Sequence, residues 1–245
     1  GELTLNNKYG DVVINGWEKE SIAISVDIIV THKKLENAKE LLNRIQPELK
    51  VVGDLVTITT EIKAKNENVI SNFFNKSNPL DYDKTNVQIN YTIYVPSTTS
   101  LDITNKFGDI ILENIGGRLI ADIQHGDIWI NQDITNATVD LKYGNLKAKS
   151  ISYGSITLKN AELNMSNGQK IELTSSGSDI QIVDVTNLEI KSNKDKINIS
   201  SIGEIKGTLA FSEMEVKTLE DEITLNLKVA DFKLLKINNP GAFIH

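Results

Sequence analysis

The sequence predicts an all-β protein folded as a single-stranded parallel β-solenoid, or β-helix, with coils of about 18 residues. Isoleucine and asparagine, which favour strands and turns, account for 33 and 26 of the 245 residues. Apolar residues recur as closely spaced i, i+2 pairs between positions 101 and 234, a pattern of short strands separated by tight turns. Segments 101–118 and 119–136 also align without gaps, with Leu over Leu, Gly over Gly and Asp over Asp.

A constant repeat length distinguishes two architectures built from short strands. In a parallel solenoid each coil stacks on the one before it, so like residues align. The strands of an antiparallel β-sandwich have no such requirement. The turn glycines Gly108, Gly126 and Gly144 are evenly spaced, each one repeat after the last. This favours the solenoid and leaves the β-sandwich as the alternative. We expect regular coils over residues 97–245, with Tyr153-Gly154 as a further turn of the same kind.

The first 96 residues are less regular and are expected to cap the solenoid. One coil unit opens the chain, with inward pairs Leu3/Leu5 and Val12/Ile14. Apolar residues then recur at three- and four-residue spacing, which predicts a helix over about residues 34–46, capped by Thr31 and ended by Pro47. Residues 63–86 are rich in Asn and Lys and predict a long loop. An irregular cap of this kind covers the unpaired first rung that a solenoid would otherwise expose.

Composition argues against several classes of function. The net charge is −7, with only 26 basic residues scattered along the chain, so we expect no nucleic-acid partner. The chain has no cysteine, and its three histidines are far apart in sequence, so neither a metal nor another cofactor is expected. No apolar run reaches the roughly 18 residues of a membrane span, which predicts that there is no transmembrane segment.

A short motif repeats along this strand-rich chain. An aromatic or histidine residue, Gly and Asp precede an apolar i, i+2 pair at residues 9–14, 107–112 and 125–130. A strand ending in Val95-Pro96 leads into the first regular repeat. In both respects nearly the whole chain resembles the bacterial "putative adhesin" family with Gly-Asp-Ile repeats, which is related to the head domain of auto-transporter adhesins. After Gly154 the Gly-Asp pair is lost, so the last coils depart from that pattern.

This resemblance implies a right-handed solenoid without enzymatic activity. It also implies export to the periplasm or the cell surface, with the signal peptide removed. We therefore expect an exported surface or periplasmic protein of the adhesin type whose lateral β-face binds a glycan or an envelope protein. A polysaccharide-active, lyase-like enzyme and a structural envelope scaffold are the alternatives.

Two carboxylates are candidates for a functional site. Asp109 and Asp127 are one repeat apart, which places them on adjacent coils, and Asn145 and Asp11 occupy related positions. Two neighbouring carboxylates can share a proton, bind a divalent cation or act as acid and base. Alternatively, an Asp after Gly accepts backbone N–H bonds and stabilises the turn.

Aromatic side chains form a second candidate column. Phe107, His125 and Tyr143 each precede a turn glycine, as does Tyr9. Such a strip could hold sugar rings, or the rings could stack on one another and stabilise the turns. Trp129 lies between two inward isoleucines, so its side chain is expected to face outward and to offer a contact surface.

Overall fold

The computed structural model describes residues 1–63 and 87–239, together with the backbone of a short strand at 243–244. These residues form one α-helix and seventeen β-strands, all joined in one sheet, which confirms the all-β prediction. The elements of the N-terminal part are β1 (Glu2–Lys8), β2 (Val12–Trp17), β3 (Ala23–Val30), α1 (Leu35–Arg44), β4 (Ile45–Val52), β5 (Leu55–Ile62) and β6 (Val87–Pro96). The regular coils contain β7 (Ser100–Lys106), β8 (Ile110–Glu113), β9 (Leu119–Gln124), β10 (Ile128–Lys142), β11 (Asn145–Lys159), β12 (Glu162–Ser176), β13 (Asp179–Asn193), β14 (Lys196–Ala210), β15 (Glu213–Lys228), β16 (Asp231–Ile237) and β17 (Phe243–Ile244).

The coils stack as a parallel β-solenoid. Strand β1 pairs in parallel with β7, and β7 pairs with β9. From β9 onward each strand pairs in parallel with the equivalent strand of the next coil, as far as β16 and β17. The stack has about eight turns. The solenoid prediction is therefore confirmed, and the β-sandwich alternative is wrong.

Each coil turns the same six positions inward. In the coil of residues 119–136 these positions are occupied by Leu119, Ala121, Ile123, Ile128, Ile130 and Ile134. All six side chains are buried, as are most of their counterparts in the other coils. Successive coils therefore form one continuous apolar core, and its burial from water is the main force that holds the stack together.

The repeat length changes along the solenoid because one residue is lost at a corner. Ile128 pairs with Leu146, whereas Ile134 pairs with Ile151, so the second pairing spans one residue fewer than the first. The shorter spacing persists through β12, β13 and β14, and the longer one returns within the pairing of β14 with β15. The expected turn at Tyr153-Gly154 is wrong for this reason. Both residues lie inside β11, and Gly154 pairs with the inward Ala137.

The N-terminal segment adds a further rung beyond the first coil. Although β1 and β2 open the chain, their outer edges pair in parallel with β5 and β6. Strand β3 then covers β6, and β4 covers β5, both in antiparallel register. The free edges of the first parallel rung are therefore closed by antiparallel neighbours from the same chain.

The helix is shorter than predicted and begins with a different residue. Its N-cap is Lys34, which has an extended backbone and forms no side-chain capping bond, so Thr31 does not cap it. It ends at Arg44 because Ile45 already starts β4, and Pro47 lies inside that strand. The predicted loop over residues 63–86 lies outside the described residues, except for Lys63.

Candidate functional site

A left-handed turn joins the two main strand segments of every coil. One residue in each turn has a positive φ, between 48° and 68°, and these residues are Tyr9, Phe107, His125, Tyr143, Asn160, Gly177, Lys194, Phe211 and Val229. The turns stack in register, because the N–H of Phe107 bonds to Gln124 O at 2.9 Å and the N–H of His125 to Lys142 O at 2.9 Å. Side chains at this position therefore project in one column along the edge of the solenoid.

The aromatic column exists, and its rings lie face to face. The ring centroids are 5.5 Å apart between Tyr9 and Phe107, 5.1 Å between Phe107 and His125, and 4.7 Å between His125 and Tyr143. The planes deviate from parallel by 5–10°. Both faces of Phe107 and His125 are thus covered by neighbouring rings, and the Lys8 ammonium lies 4.7 Å from the centroid of Tyr9. The stack stabilises the turns and presents mainly ring edges to a ligand.

Glycine follows the left-handed residue in the first coils because the turns approach each other closely. A Cβ on Gly126 would lie 2.0 Å from the carbonyl oxygen of Gly108, and a Cβ on Gly108 would lie 1.9 Å from that of Gly10. Real Cβ atoms essentially never come within 3.0 Å of such an atom. Glycine is therefore required by the close approach of these first turns, whereas the equivalent positions of later turns hold Ala161, Ser178, Asp195 and Ser212.

The carboxylates after these glycines form a ladder with the backbone. The N–H of Asp109 bonds to Asp11 Oδ1 at 2.9 Å, that of Asp127 to Asp109 Oδ1 at 2.8 Å, and that of Asn145 to Asp127 Oδ1 at 2.8 Å. Asn145 also donates its side-chain Nδ2–H to Asp127 Oδ1 at 3.1 Å. The carboxylates Asp109 and Asp127 thus lie on neighbouring coils as expected, and each binds the next turn to its own.

The electrostatic environment of this ladder is unfavourable for charge at its centre. Burial raises the pKa of Asp109 above its usual range, and the backbone N–H of Asp127 opposes that rise. The negative charges of Asp127 and Asp11 raise the pKa of Asp109 further. Within residues 1–63 and 87–239, no group of three His, Asp or Glu side chains is arranged to hold a metal ion.

Trp129 lies on a different surface of the solenoid. We call the outward side chains of the segments equivalent to residues 128–131 face B, and those of the segments equivalent to 119–124 face A. Trp129 is half-buried on face B, between Ile111 of the preceding coil and Lys147 of the next. Trp17, by contrast, packs on Tyr94 with centroids 5.2 Å apart and donates its indole N–H to Ser21 O.

A shallow groove of about 370 Å³ runs along face B. One of its columns starts beside Trp129 and contains, coil after coil, Lys147, Asn164, Gln181, Asn198 and Glu215. The second column contains Asn131, Lys149, Ser166, Val183, Ser200 and Lys217. No described residue forms a hydrogen bond with the side-chain amides of Asn164, Gln181 or Asn198. The groove therefore offers a row of hydrogen-bond donors and acceptors without a partner among the described residues. The sequence patterns did not predict this row, because the shorter repeat length of these coils was not apparent.

A buried carboxylate occupies the turn of a later coil. Asp195 is 4% exposed and accepts hydrogen bonds from the hydroxyls of Ser175 and Ser192, both at 2.6 Å. It also accepts the N–H of Ser178 at 2.8 Å and the N–H of Asn193 at 3.0 Å. Asp195 follows the left-handed residue Lys194, so it occupies the turn position that Gly126 holds in its own coil. There its carboxylate accepts hydrogen bonds from hydroxyl and N–H groups of this turn and of the preceding one. Its signal in the sequence was hidden by the change of repeat length.

Comparison with known proteins adds little to this description. No protein-family model matches the chain, and no curated protein matches it. Among solved structures, a "putative cell adhesion protein" from Clostridium sporogenes aligns at 12% identity, over 100% of this chain and 92% of that chain, with a TM-score of 0.21. At this TM-score the likeness carries no argument about fold or function. Within the described part of the chain, no helix is both long and apolar enough to cross a membrane.

Proposed function

We propose that this solenoid is a non-catalytic binding protein of the adhesin type, which presents face B to a glycan or an envelope protein. The observation that carries the proposal is the groove on face B with its unengaged amides at Asn164, Gln181 and Asn198. Backbone pairing fixes these side chains on successive coils, about 4.8 Å apart. A regular, pre-organised row of hydrogen-bonding groups suits an extended or repeating ligand, because little ordering is needed on binding.

The hydrogen bonds of the carboxylates in the turn ladder support a role without catalysis. An acid and base pair must hold its carboxylates in position to reach a substrate. In Asp109 and Asp127, Oδ1 instead accepts the backbone N–H of the adjacent turn at 2.8 Å, which ties one oxygen of each carboxylate to the turn. The aromatic column likewise covers its own ring faces, so we place the binding function on face B rather than on the turns.

We further propose that the protein acts outside the cytoplasm. This part rests on the resemblance of its Gly-Asp repeats and Val95-Pro96 junction to exported bacterial adhesins. Protease treatment of intact source cells, with a cytoplasmic enzyme as the control, tests the location. Cells stripped of their outer envelope are treated in the same way, and digestion of this protein only after the cytoplasmic membrane is lysed would contradict the proposal.

A binding screen tests the function itself. The purified chain is applied to an array of bacterial and host glycans and to immobilised envelope extracts, and each glycan is analysed for cleavage. We expect retention without turnover, weakened in a double variant Gln181→Ala/Asn198→Ala on face B. The matched control Thr174→Ala/Thr208→Ala, on face A, should bind as the wild type does. Cleavage of a bound glycan, or equal binding by both double variants, contradicts the proposal.

A further inference from the structure

We propose that the groove on face B binds an acidic glycan, held by Lys147 and Lys217, by the amide row between them, and by the indole of Trp129. The inference rests on the proposed binding function and specifies the class of its ligand. It follows from three features: the charge of the groove, its hydrogen-bonding groups and the aromatic ring beside it.

The groove is positively charged on a protein that is negative overall. Three lysines and one glutamate line it, although the whole chain has a net charge of −7. Glu215 is already neutralised by Lys233, with 2.9 Å between the ammonium and the carboxylate, and Lys149 is paired with Asp133 at 3.3 Å. Lys147 and Lys217 have no charged partner among the described residues. Two ammonium groups are therefore available to bind anions in a groove whose remaining lining combines neutral amides and hydroxyls with apolar side chains such as Val183.

The spacing of these two ammonium groups defines the size of the ligand. From the rung of Lys147 to that of Lys217 the register advances by four coils. At about 4.8 Å per coil, the two lysines lie about 19 Å apart along the solenoid axis. A single inorganic anion cannot reach both, so the ligand is a chain that carries repeated negative charges.

The groups between the lysines favour a sugar chain over an acidic peptide. Asn164, Gln181 and Asn198 each offer two N–H donors and a carbonyl acceptor. Sugar hydroxyls also donate and accept, so they match such a row at every position. The carboxylates of an acidic peptide only accept, so the amide oxygens would depend on the single backbone N–H of each peptide residue, whereas every sugar ring carries several hydroxyls that both donate and accept.

Trp129 lies beside the groove, next to the end that holds Lys147. The two residues are direct neighbours in the register of β10 and β11. No described aromatic ring stacks on Trp129, in contrast to Trp17 and to the four rings of the turn column. An unstacked, half-buried indole provides an apolar platform for the C–H face of a sugar ring.

Oligogalacturonate, which carries one carboxylate per sugar, is a suitable probe, and its methyl ester is the same chain without the charge. We expect the acid to bind the wild-type protein, and the ester to bind about tenfold more weakly, because two ion pairs are lost. Affinity for the acid should fall with increasing salt. Polyglutamate should bind more weakly than oligogalacturonate or not at all, because the groove favours a sugar chain.

Two charge-matched variants locate the site. Lys147→Gln/Lys217→Gln should reduce affinity for oligogalacturonate about tenfold. Lys159→Gln/Lys191→Gln removes the same charge from face A and should bind as the wild type does. In a Trp17→Phe background the remaining indole reports on its own surroundings, and saturating oligogalacturonate should change the emission of Trp129.

The possible failures separate this inference from the function on which it rests. If the protein retains a neutral glycan or an envelope protein but not oligogalacturonate, the acidic-glycan inference is overturned while the binding function stands. Tighter binding of polyglutamate, or equal affinity of the two lysine variants, also overturns the inference. If nothing is retained in any assay, both proposals fail.

Discussion

The stacked glycines of the left-handed turns provide the sharpest test of how this fold is held together. In Gly126→Ala the new Cβ would lie 2.0 Å from Gly108 O, so the adjacent turns must separate by about 1 Å to reach even the 3.0 Å limit. Three bonds close the gap between these turns: Phe107 N–H to Gln124 O at 2.9 Å, Ile110 N–H to Asp127 O at 2.8 Å, and Asp127 N–H to Asp109 Oδ1 at 2.8 Å. A separation of that size stretches each of them beyond the usual length.

The expected cost of the substitution follows from these contacts. Three weakened bonds contribute roughly 0.5–1.5 kcal/mol each, and overpacking adds about 1–3 kcal/mol. We therefore expect Gly126→Ala to lower the free energy of unfolding by about 2.5–7.5 kcal/mol, a large fraction of the stability of a typical domain.

Urea unfolding followed by circular dichroism measures this loss, with Gly116→Ala as the matched control. A Cβ on Gly116 would lie 3.6 Å from Ser97 O, an ordinary van der Waals contact. That variant should keep its stability or gain up to about 1 kcal/mol, because alanine reduces the entropy of the unfolded chain. Equal unfolding midpoints for the two variants would refute the claim that close contact between turns requires glycine.

Three further substitutions test the polar groups inside the stack. Asp195→Ala removes the acceptor of three buried donors and one half-buried donor and should cost about 2–4 kcal/mol in urea unfolding. Asp184→Ala, at an exposed corner, should change stability by less than about 0.5 kcal/mol, and similar losses for the two variants would contradict this role. Because the folded-state pKa of Asp109 is raised, its ionisation destabilises the fold as pH rises from the unfolded value of about 3.9 through the folded pKa. Asp109→Asn should therefore be more stable than the wild type at pH 7 and lose that advantage near pH 4, and a constant difference across that range would disprove the mechanism. Tyr91→Phe should cost about 1–2 kcal/mol because it removes the 2.6 Å bond to the buried Thr60 hydroxyl, and adding Thr60→Val should recover most of the loss; an additive double variant would show that the bond is unimportant.

The turn motif shows how far local patterns predict the candidate site. The even spacing of Phe107, His125 and Tyr143 was sufficient to place their rings in one column, because parallel stacking repeats whatever a coil presents. The same spacing predicted the neighbouring positions of Asp109 and Asp127. The spacing did not reveal whether the rings and carboxylates could reach a ligand, since that depends on the distance between the rings and on the direction of each carboxylate.

The later coils show where such patterns fail. A corner that loses one residue shifts every subsequent turn, and Tyr153-Gly154 then imitates a turn while lying inside a strand. The buried Asp195 and the amide row at Asn164, Gln181 and Asn198 become visible only when coils are aligned through their backbone pairing. The i, i+2 pattern of apolar residues is unaffected by the shift, because coils of either repeat length keep the same inward pairs on their strands.

The apolar pattern of the chain was enough to specify an all-β solenoid. Alternating apolar residues can bury one side of a short strand, and a nearly constant repeat lets each coil bury that side against the next. At the N-terminal end, β5 and β6 pair with the outer edges of β1 and β2. Only the tertiary structure reveals this arrangement. The same holds for the polar side chains that remain available on face B. Both outcomes depend on contacts between residues far apart in sequence, which no local pattern encodes.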